Sequence, residues 1–231
     1  MQKGVLALVC LLALVSTCAA ARPVTEHADA QRPRVLILMF STPAIVPAYA
    51  AAAATINKAY ARRHGYGFKH LVAETSSHAE TVWKMVEVLR AHQGQADALF
   101  WIDSDAVFNP AHHARSLEWL FHIPGHIVGC SDHPNGTSHI NTGTLFVKNT
   151  PTAATLLDAW WAMRRSYREF PYEQKALHDL ARAHPDDIIA RPAEEFNSVY
   201  VRLRAGNRTG FVLHFMSFAA HERAAEFASL Q

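Results

Sequence analysis

The chain has 231 residues, half of them apolar, and its 22 basic and 20 acidic residues leave a formal charge of +2. This length suits one globular domain with a short appendage, and the near-balanced charge excludes the basic face of a nucleic-acid-binding protein. Cys130 is the only cysteine after residue 21, so no internal disulfide framework is expected. The sequence also lacks a Walker loop, a G-x-G-x-x-G turn, a G-x-S-x-G elbow and an H-E-x-x-H pair.

Residues 1–21 have the composition of a secretory signal peptide. Lys3 precedes the apolar run Val5–Val15, and small residues follow up to Ala21. The segment is either cleaved, with the mature chain beginning near Arg22, or kept as a short signal anchor, which alone would attach the protein to a membrane. We expect residues 22–33 to be a linker and the protein to reach the Golgi or ER lumen or to be secreted. Sequons at Asn135 and Asn207 agree with that route.

Strand-like and helix-like segments alternate from residue 34 onward. Apolar runs predict strands at Val35–Phe40, Phe68–Val72, Ala98–Ile102, Ile127–Val128, Thr144–Val147, Ile188–Ile189 and Phe211–Phe215. Helical patterns occupy Pro47–His64, Glu80–His92, Ala153–Tyr167 and Tyr172–Ala183. This alternation predicts an α/β domain over residues 34–231, with a largely parallel central sheet flanked by helices.

Two carboxylates, Asp103 and Asp105, directly follow the strand predicted at Ala98–Ile102. In an extended segment, side chains two positions apart face the same way, so both carboxylates can converge on one ion while Ser104 points elsewhere. Oxygen ligands suit Mg²⁺ or Mn²⁺. Ligands bind outside the carboxyl ends of the strands in such sheets, which is where this pair falls. The alternative is a polar turn after a buried strand.

Several other residues are candidates for a site. His214 alternates with Phe211, Leu213 and Phe215, so it is either a third metal ligand or a hydrogen-bonded core histidine. In Asn141-Thr142-Gly143, the glycine would let a ligand approach the backbone and the asparagine would bind sugar hydroxyls, unless the segment is a plain turn.

Two further candidates lie on predicted helices. Lys84 is either a phosphate contact or a solvated helical lysine. Glu173, beside Gln174, is already explained by the dipole of the helix that it opens.

These segments, in this order, resemble the GT-A-fold family of retaining galactosyl-, mannosyl- and xylosyltransferases. The resemblance rests on motifs spread over most of the chain after residue 21: Asn57 to Tyr66, Trp83-Lys84, Trp101 to Asp105, Asn141-Thr142-Gly143 to Asn149, Gln174 to Leu177, Phe196-Asn197-Ser198 and His214-Phe215. The sequence departs from the family in having Met216-Ser217 where Gly-Cys usually follows the late His-Phe.

The resemblance implies a Rossmann-like GT-A domain and a metal-dependent retaining glycosyltransferase. The enzyme would move a hexose or pentose from a nucleotide-sugar to a hydroxyl of a glycan or glycoprotein. The expected donor is a UDP-sugar. It implies that Asp105 and His214 bind Mn²⁺ or Mg²⁺ and that Asp103 binds the metal or the donor. Asn141 and Gln174 would line the reacting sugar as catalytic residues, with Lys84, Asn141 and Gly143 contacting the donor.

Two other functions remain open on the sequence alone. A glycosidase would place two carboxylates on opposite sides of the scissile bond, whereas Asp103 and Asp105 are expected on one side. A non-catalytic carbohydrate-binding protein with a decayed glycosyltransferase fold would keep the same core.

Overall fold

A six-stranded sheet forms the centre of the protein in a computed structural model, which describes residues 32–131, 140–193, 195–198 and 203–231. In spatial order its strands are β2 (Gly67–Val72), β1 (Val35–Ser41), β3 (Ala98–Ile102), β6 (Ile140–Lys148), β5 (Ile127–Ser131) and β7 (Ile188–Arg191). The β1–β2, β1–β3 and β5–β7 pairs are parallel, and β6 is antiparallel to both of its neighbours. The predicted largely parallel α/β sheet is therefore confirmed. The segment 1–21, nearly all of the linker and the sequon at Asn135 lie outside the described residues.

A second, two-stranded sheet pairs β4 (Ala106–Phe108) with β8 (Val212–His214). The helices are α1 (Ala51–His64), α2 (His78–His92), α3 (Pro151–Met163), α4 (Tyr172–Ala183) and α5 (Ala220–Ser229). Within the described part of the chain, none of them is long and apolar enough to cross a bilayer. Residues 33–231 form one unit.

Local chemistry explains where the helices begin and end. The Ser77 hydroxyl accepts a hydrogen bond from Glu80 N at 3.2 Å, and Thr150 caps α3 in the same way. Gly65 ends α1 at a φ of 73°, a left-handed conformation that glycine adopts without strain. Helix α1 begins later than predicted, because residues 46–50 form a π-helical turn before it.

The core lies on both faces of the central sheet. In β1, Val35, Ile37 and Met39 pack on the side of α1 and α5, while Leu36, Leu38 and Phe40 pack on the side of α2, α3 and α4. Both faces are buried, which is why this strand reads as an unbroken apolar run.

The reversed direction of β6 brings its first residues beside the last residues of β3. Ile102 pairs with Thr144, and Asp103 N donates a hydrogen bond to Gly143 O at 2.8 Å. Asn141, Thr142 and Gly143 thus lie inside β6, rather than before a strand starting at Thr144. This pairing places them at the carboxyl edge of β3, next to the aspartate pair.

Candidate functional site

The two aspartates lie in a tight turn between β3 and β4. Ala106 N donates to Asp103 O at 3.0 Å, which closes the turn, and the indole Nε1 of Trp101 donates to Asp103 Oδ1 at 2.8 Å. The backbone here is a turn rather than the extended segment expected. Ser104 consequently lines the same cavity as both carboxylates, so the expectation that it points elsewhere is wrong.

A buried amide on α1 fixes the strand that follows this turn. Asn57 is fully buried; its Nδ2 donates to Ala106 O, and its Oδ1 accepts from Phe108 N, each at 3.0 Å. Burial of an amide is favourable only when its polar atoms are paired. Asn57 therefore anchors β4, and with it the position of Asp105, to the first helix.

His214 reaches the aspartates through the pairing of β8 with β4. In this antiparallel pairing His214 lies opposite Ala106, and Phe215 N donates a hydrogen bond to Asp105 O at 2.9 Å. The buried imidazole then has Nε2 at 3.2 Å from Asp105 Oδ1 and 3.9 Å from Asp103 Oδ2. One ligand atom from each of the three residues lies within 4.8 Å of the other two. The structure thus brings together the whole predicted metal set.

The other imidazole nitrogen faces a buried pair of amides. Asn197 Nδ2 lies 3.4 Å from His214 Nδ1 and 2.9 Å from Asn141 Oδ1, and Asn141 Oδ1 also accepts from Gly143 N at 3.0 Å. Contacts of this kind to the second ring nitrogen orient metal-ligating histidines. Asn141 is 3% exposed, so its contacts support the site from behind. Sequence reasoning assigned no role to Asn197.

A cavity of about 370 Å³ is lined by Asp103 and Asp105, the two carboxylates that His214 approaches. This is within the range of sites that hold small molecules. Its wall includes Tyr49, Trp101, Ser104, Thr142, Glu173 and Arg223. The cavity therefore joins the candidate metal ligands to the strand β6 and to the helices α4 and α5.

The electrostatics of the aspartate pair are asymmetric. Burial and the neighbouring Asp105 raise the pKa of Asp103 to about 6. Burial also opposes ionisation of Asp105, but His214 and Arg223 outweigh it, so the pKa of Asp105 lies below its ordinary value. Burial likewise opposes the charged imidazole, and the two carboxylates outweigh that effect to raise the pKa of His214. The carboxylates together attract positive charge strongly.

Glu173 is a functional candidate that the sequence had explained by the helix dipole. Its Oε1 accepts from the Thr142 hydroxyl at 2.9 Å, its Oε2 has no partner within the described structure, and the side chain lines the cavity. Burial raises the pKa of Glu173 to about 7. A buried carboxyl with an unpaired oxygen, on a residue that lines a cavity, is unusual enough to mark Glu173 as a functional candidate.

The remaining predicted residues divide into near and distant ones. Gln174 follows Glu173 and has Oε1 at 3.4 Å from Thr142 N, at the edge of the site. Gly143 lies against the His214 ring, which occupies the space that a side chain at residue 143 would fill. Lys84 pairs with Glu87 at 3.0 Å and lines a separate groove with Trp161, so it is not brought into this cavity.

Comparisons with known proteins agree with this architecture. No protein-family profile matches the chain. Over 157 residues it is 31% identical to "Probable glycosyltransferase 5" of Oryza sativa subsp. indica, a match that covers 59% of this chain and 33% of the rice protein. The japonica protein of the same name matches equally. The chain thus spans about a third of the length of the curated relatives that it matches.

Two solved structures show the fold. A glycosyltransferase involved in glycosylation of the major capsid of PBCV-1 superposes with a TM-score of 0.75 at 20% identity, covering 85% of this chain and 100% of that one. An active-site mutant of LgtC superposes with a TM-score of 0.56 at 13% identity, covering 84% and 95% of the two chains. The described residues therefore have the GT-A fold that the sequence predicted.

Proposed function

We propose that this protein is a metal-dependent retaining glycosyltransferase that moves a hexose or pentose from a nucleotide-sugar to a hydroxyl of a glycan or glycoprotein acceptor. A UDP-sugar is the first donor to test. The observation that carries the proposal is the convergence of Asp103, Asp105 and His214 beside a cavity of about 370 Å³, at the carboxyl edge of β3 in a GT-A fold.

The ligand atoms of Asp103, Asp105 and His214 suit a small divalent ion. Two carboxylates and one imidazole can hold Mn²⁺ or Mg²⁺, and Trp101 and Asn197 hold two of these ligands in place from behind. When bound, such an ion would offset the negative charge that develops on a departing diphosphate. Asp103, Asp105 and His214 are the residues that we assign to it.

Two residues in the first turn of α4, Glu173 and Gln174, would bind the sugar. Glu173 lines the cavity, and because its pKa is about 7 a large share of it keeps the proton near neutrality. It can then donate a hydrogen bond to a sugar hydroxyl. Gln174, one residue later, is the group that we assign to steady the oxocarbenium-like sugar while the acceptor hydroxyl attacks on the face from which the diphosphate leaves.

Thermal unfolding with Mn²⁺ and UDP tests this proposal. A ligand that binds only the folded state, at a hundred times its dissociation constant, adds about 2.7 kcal/mol, which shifts the midpoint measurably. We expect UDP with Mn²⁺ to stabilise the wild type but not Asp105→Ala. Asp158→Ala is the matched control, because this aspartate is 65% exposed and pairs with Arg90 on the surface.

The outcomes separate the candidate functions. A shift of the unfolding midpoint with GDP but not with UDP would indicate a GDP-sugar as the donor. No shift with either nucleotide would contradict the proposed donor site. A positive result leads to a screen of sugar donors, with the product's anomeric configuration read by NMR; inversion would refute the retaining mechanism. Binding of sugars without donor turnover would favour the non-catalytic carbohydrate-binding alternative.

We also propose that the protein follows the secretory route, with residues 34–231 as its one glycosyltransferase domain. The support is the lysine-led apolar segment 1–21 and its small-residue end. N-terminal sequencing of the protein recovered from secretory cells would show a start near Arg22 if the segment is cleaved. Recovery from the cytosol with Met1 still present would contradict the proposal.

A further inference from the structure

Arg223 extends from α5 into the cavity and pairs with one of the candidate metal ligands. Its Nη2 lies 2.8 Å from Asp105 Oδ2, and the side chain is 18% exposed. Its Nε donates to Phe215 O at 3.1 Å, and its guanidinium lies 5.0 Å from the centre of the Tyr49 ring. The charged group is therefore aimed at the site by contacts that do not involve Asp105.

This guanidinium is the strongest fixed positive charge at the cavity. Among the described residues that line it, Arg223 is the only lysine or arginine. The arginines nearest to it in the chain point elsewhere: Arg204 pairs with Glu222, and Arg208 pairs with Glu226. A positive group at this place is expected to bind an anion such as a diphosphate.

The positive charge of Arg223 also disfavours binding of a divalent cation at Asp105. Both oxygens of Asp105 have cationic or donor neighbours, since Oδ1 faces His214 Nε2 at 3.2 Å and Oδ2 faces Arg223. An ion held by Asp105 would share that carboxylate with the guanidinium, and the two positive charges would repel each other. The aspartate pair alone balances a divalent ion, so Arg223 makes the loaded site positive by one charge.

We propose that Arg223 couples the two ligands: it opposes binding of the divalent ion alone, contributes to binding of the diphosphate, and so makes each ligand favour the other. This inference rests on the proposed function. A diphosphate would draw the guanidinium away from Asp105 and neutralise the excess positive charge. The site would then hold the ion firmly only when the donor is present, which limits capture of the ion without substrate.

Metal and nucleotide affinities of the full chain, measured without turnover, test the coupling. Free Mn²⁺ is counted by electron paramagnetic resonance, and UDP binding is measured by calorimetry with and without Mn²⁺. Arg223→Met and Arg223→Gln both remove the charge, and the glutamine keeps a donor for Phe215 O should the methionine variant unfold. Arg204→Met is the control, because it removes an arginine that packs on Phe218 outside the cavity.

We expect both charge-removing variants to bind Mn²⁺ alone about tenfold more tightly than the wild type. The factor by which Mn²⁺ raises UDP affinity should fall about tenfold, which is within the usual range of coupling between sites. Arg204→Met should leave both values unchanged.

Two results would overturn the inference alone. If Mn²⁺ binds the wild type and the Arg223 variants equally, or more weakly in the variants, Arg223 positions Asp105 rather than competing with the ion. If the coupling factor stays the same, Arg223 does not link the two ligands. Failure of the wild type to bind Mn²⁺ even with UDP present, or Mn²⁺ binding that survives Asp105→Ala, would instead overturn the proposed metal site.

Discussion

Gly143 lies directly against the imidazole of His214, and a Cβ at residue 143 would overlap the Cε1 atom of that ring. The two residues come from β6 and β8, in different sheets. The absence of a side chain at residue 143 is therefore what allows His214 to reach Asp105.

Gly143→Ala tests this contact. We expect the added methyl group to displace the ring, to lower Mn²⁺ affinity at least tenfold and to reduce the free energy of unfolding by about 1–3 kcal/mol. Urea unfolding and Mn²⁺ titration measure both effects. In a His214→Ala background the same substitution should cost little, because the overlapping ring is gone. An equal cost in both backgrounds would show that the glycine is needed for another reason.

Asn57 gives a second prediction, on how the aspartate turn is anchored. Asn57→Leu keeps the volume but leaves Ala106 O and Phe108 N without their buried partner. We expect the free energy of unfolding to fall by about 2–4 kcal/mol and Mn²⁺ affinity to fall with it. Urea unfolding at constant pH measures the first. The exposed neighbour Lys58 offers the control, since Lys58→Ala should stay within about 0.5 kcal/mol of wild type.

The candidate metal ligands and the central sheet can be predicted from the sequence because their signals are local. A continuous apolar run ending in Asp103 indicates a doubly buried strand with a ligand at its end, and the alternation around His214 marks a polar residue among apolar ones. The residues that complete the site depend on long-range geometry. Asn197 contacts His214, which is 17 residues away in the sequence. Arg223 reaches Asp105 only because α5 packs beside Tyr49.

Helical position alone does not settle the roles of Glu173 and Lys84. An acidic residue in the first turn of a helix needs no ligand to explain it, so the sequence alone explains Glu173 by the helix dipole. Its burial and its unpaired Oε2 become visible only once α4 packs on β6. Lys84 has the charge to bind a phosphate, but in the structure it forms an ion pair with Glu87, three residues later on the same helix.

Trp101→Phe tests the orientation of Asp103. The substitution removes the indole donor 2.8 Å from Asp103 Oδ1 while keeping an aromatic ring in the core. We expect Mn²⁺ affinity to fall about threefold to tenfold, with a loss of about 1–2 kcal/mol in the free energy of unfolding. Mn²⁺ titration checks the first value and urea unfolding the second.

Trp161→Phe provides the matched control for the loss of a tryptophan. Trp161 lines the groove that contains Lys84, outside the cavity. It should leave Mn²⁺ affinity unchanged. Equal metal affinity in Trp101→Phe and wild type would show that the Asp103 carboxylate is oriented without the indole.

Glu173 makes stability depend on pH in a direction opposite to that of most carboxylates. Burial raises the folded pKa of Glu173 from its ordinary value of 4.5 to about 7, so between these values the folded protein keeps a proton that the unfolded chain releases. The contribution of Glu173 to the free energy of unfolding is therefore full below pH 4.5 and falls as pH rises through 7. A difference of this size amounts to about 3 kcal/mol.

Glu173→Gln isolates this effect, because the amide stays neutral at every pH. We expect the free energy of unfolding of the variant, minus that of the wild type, to increase by about 3 kcal/mol between pH 4.5 and 8. Urea unfolding of both proteins across that range measures the difference, and the subtraction removes the contribution of the histidines common to both. A difference that stays flat would mean that Glu173 is ionised in the folded protein, and its proton would then be unable to serve a sugar hydroxyl.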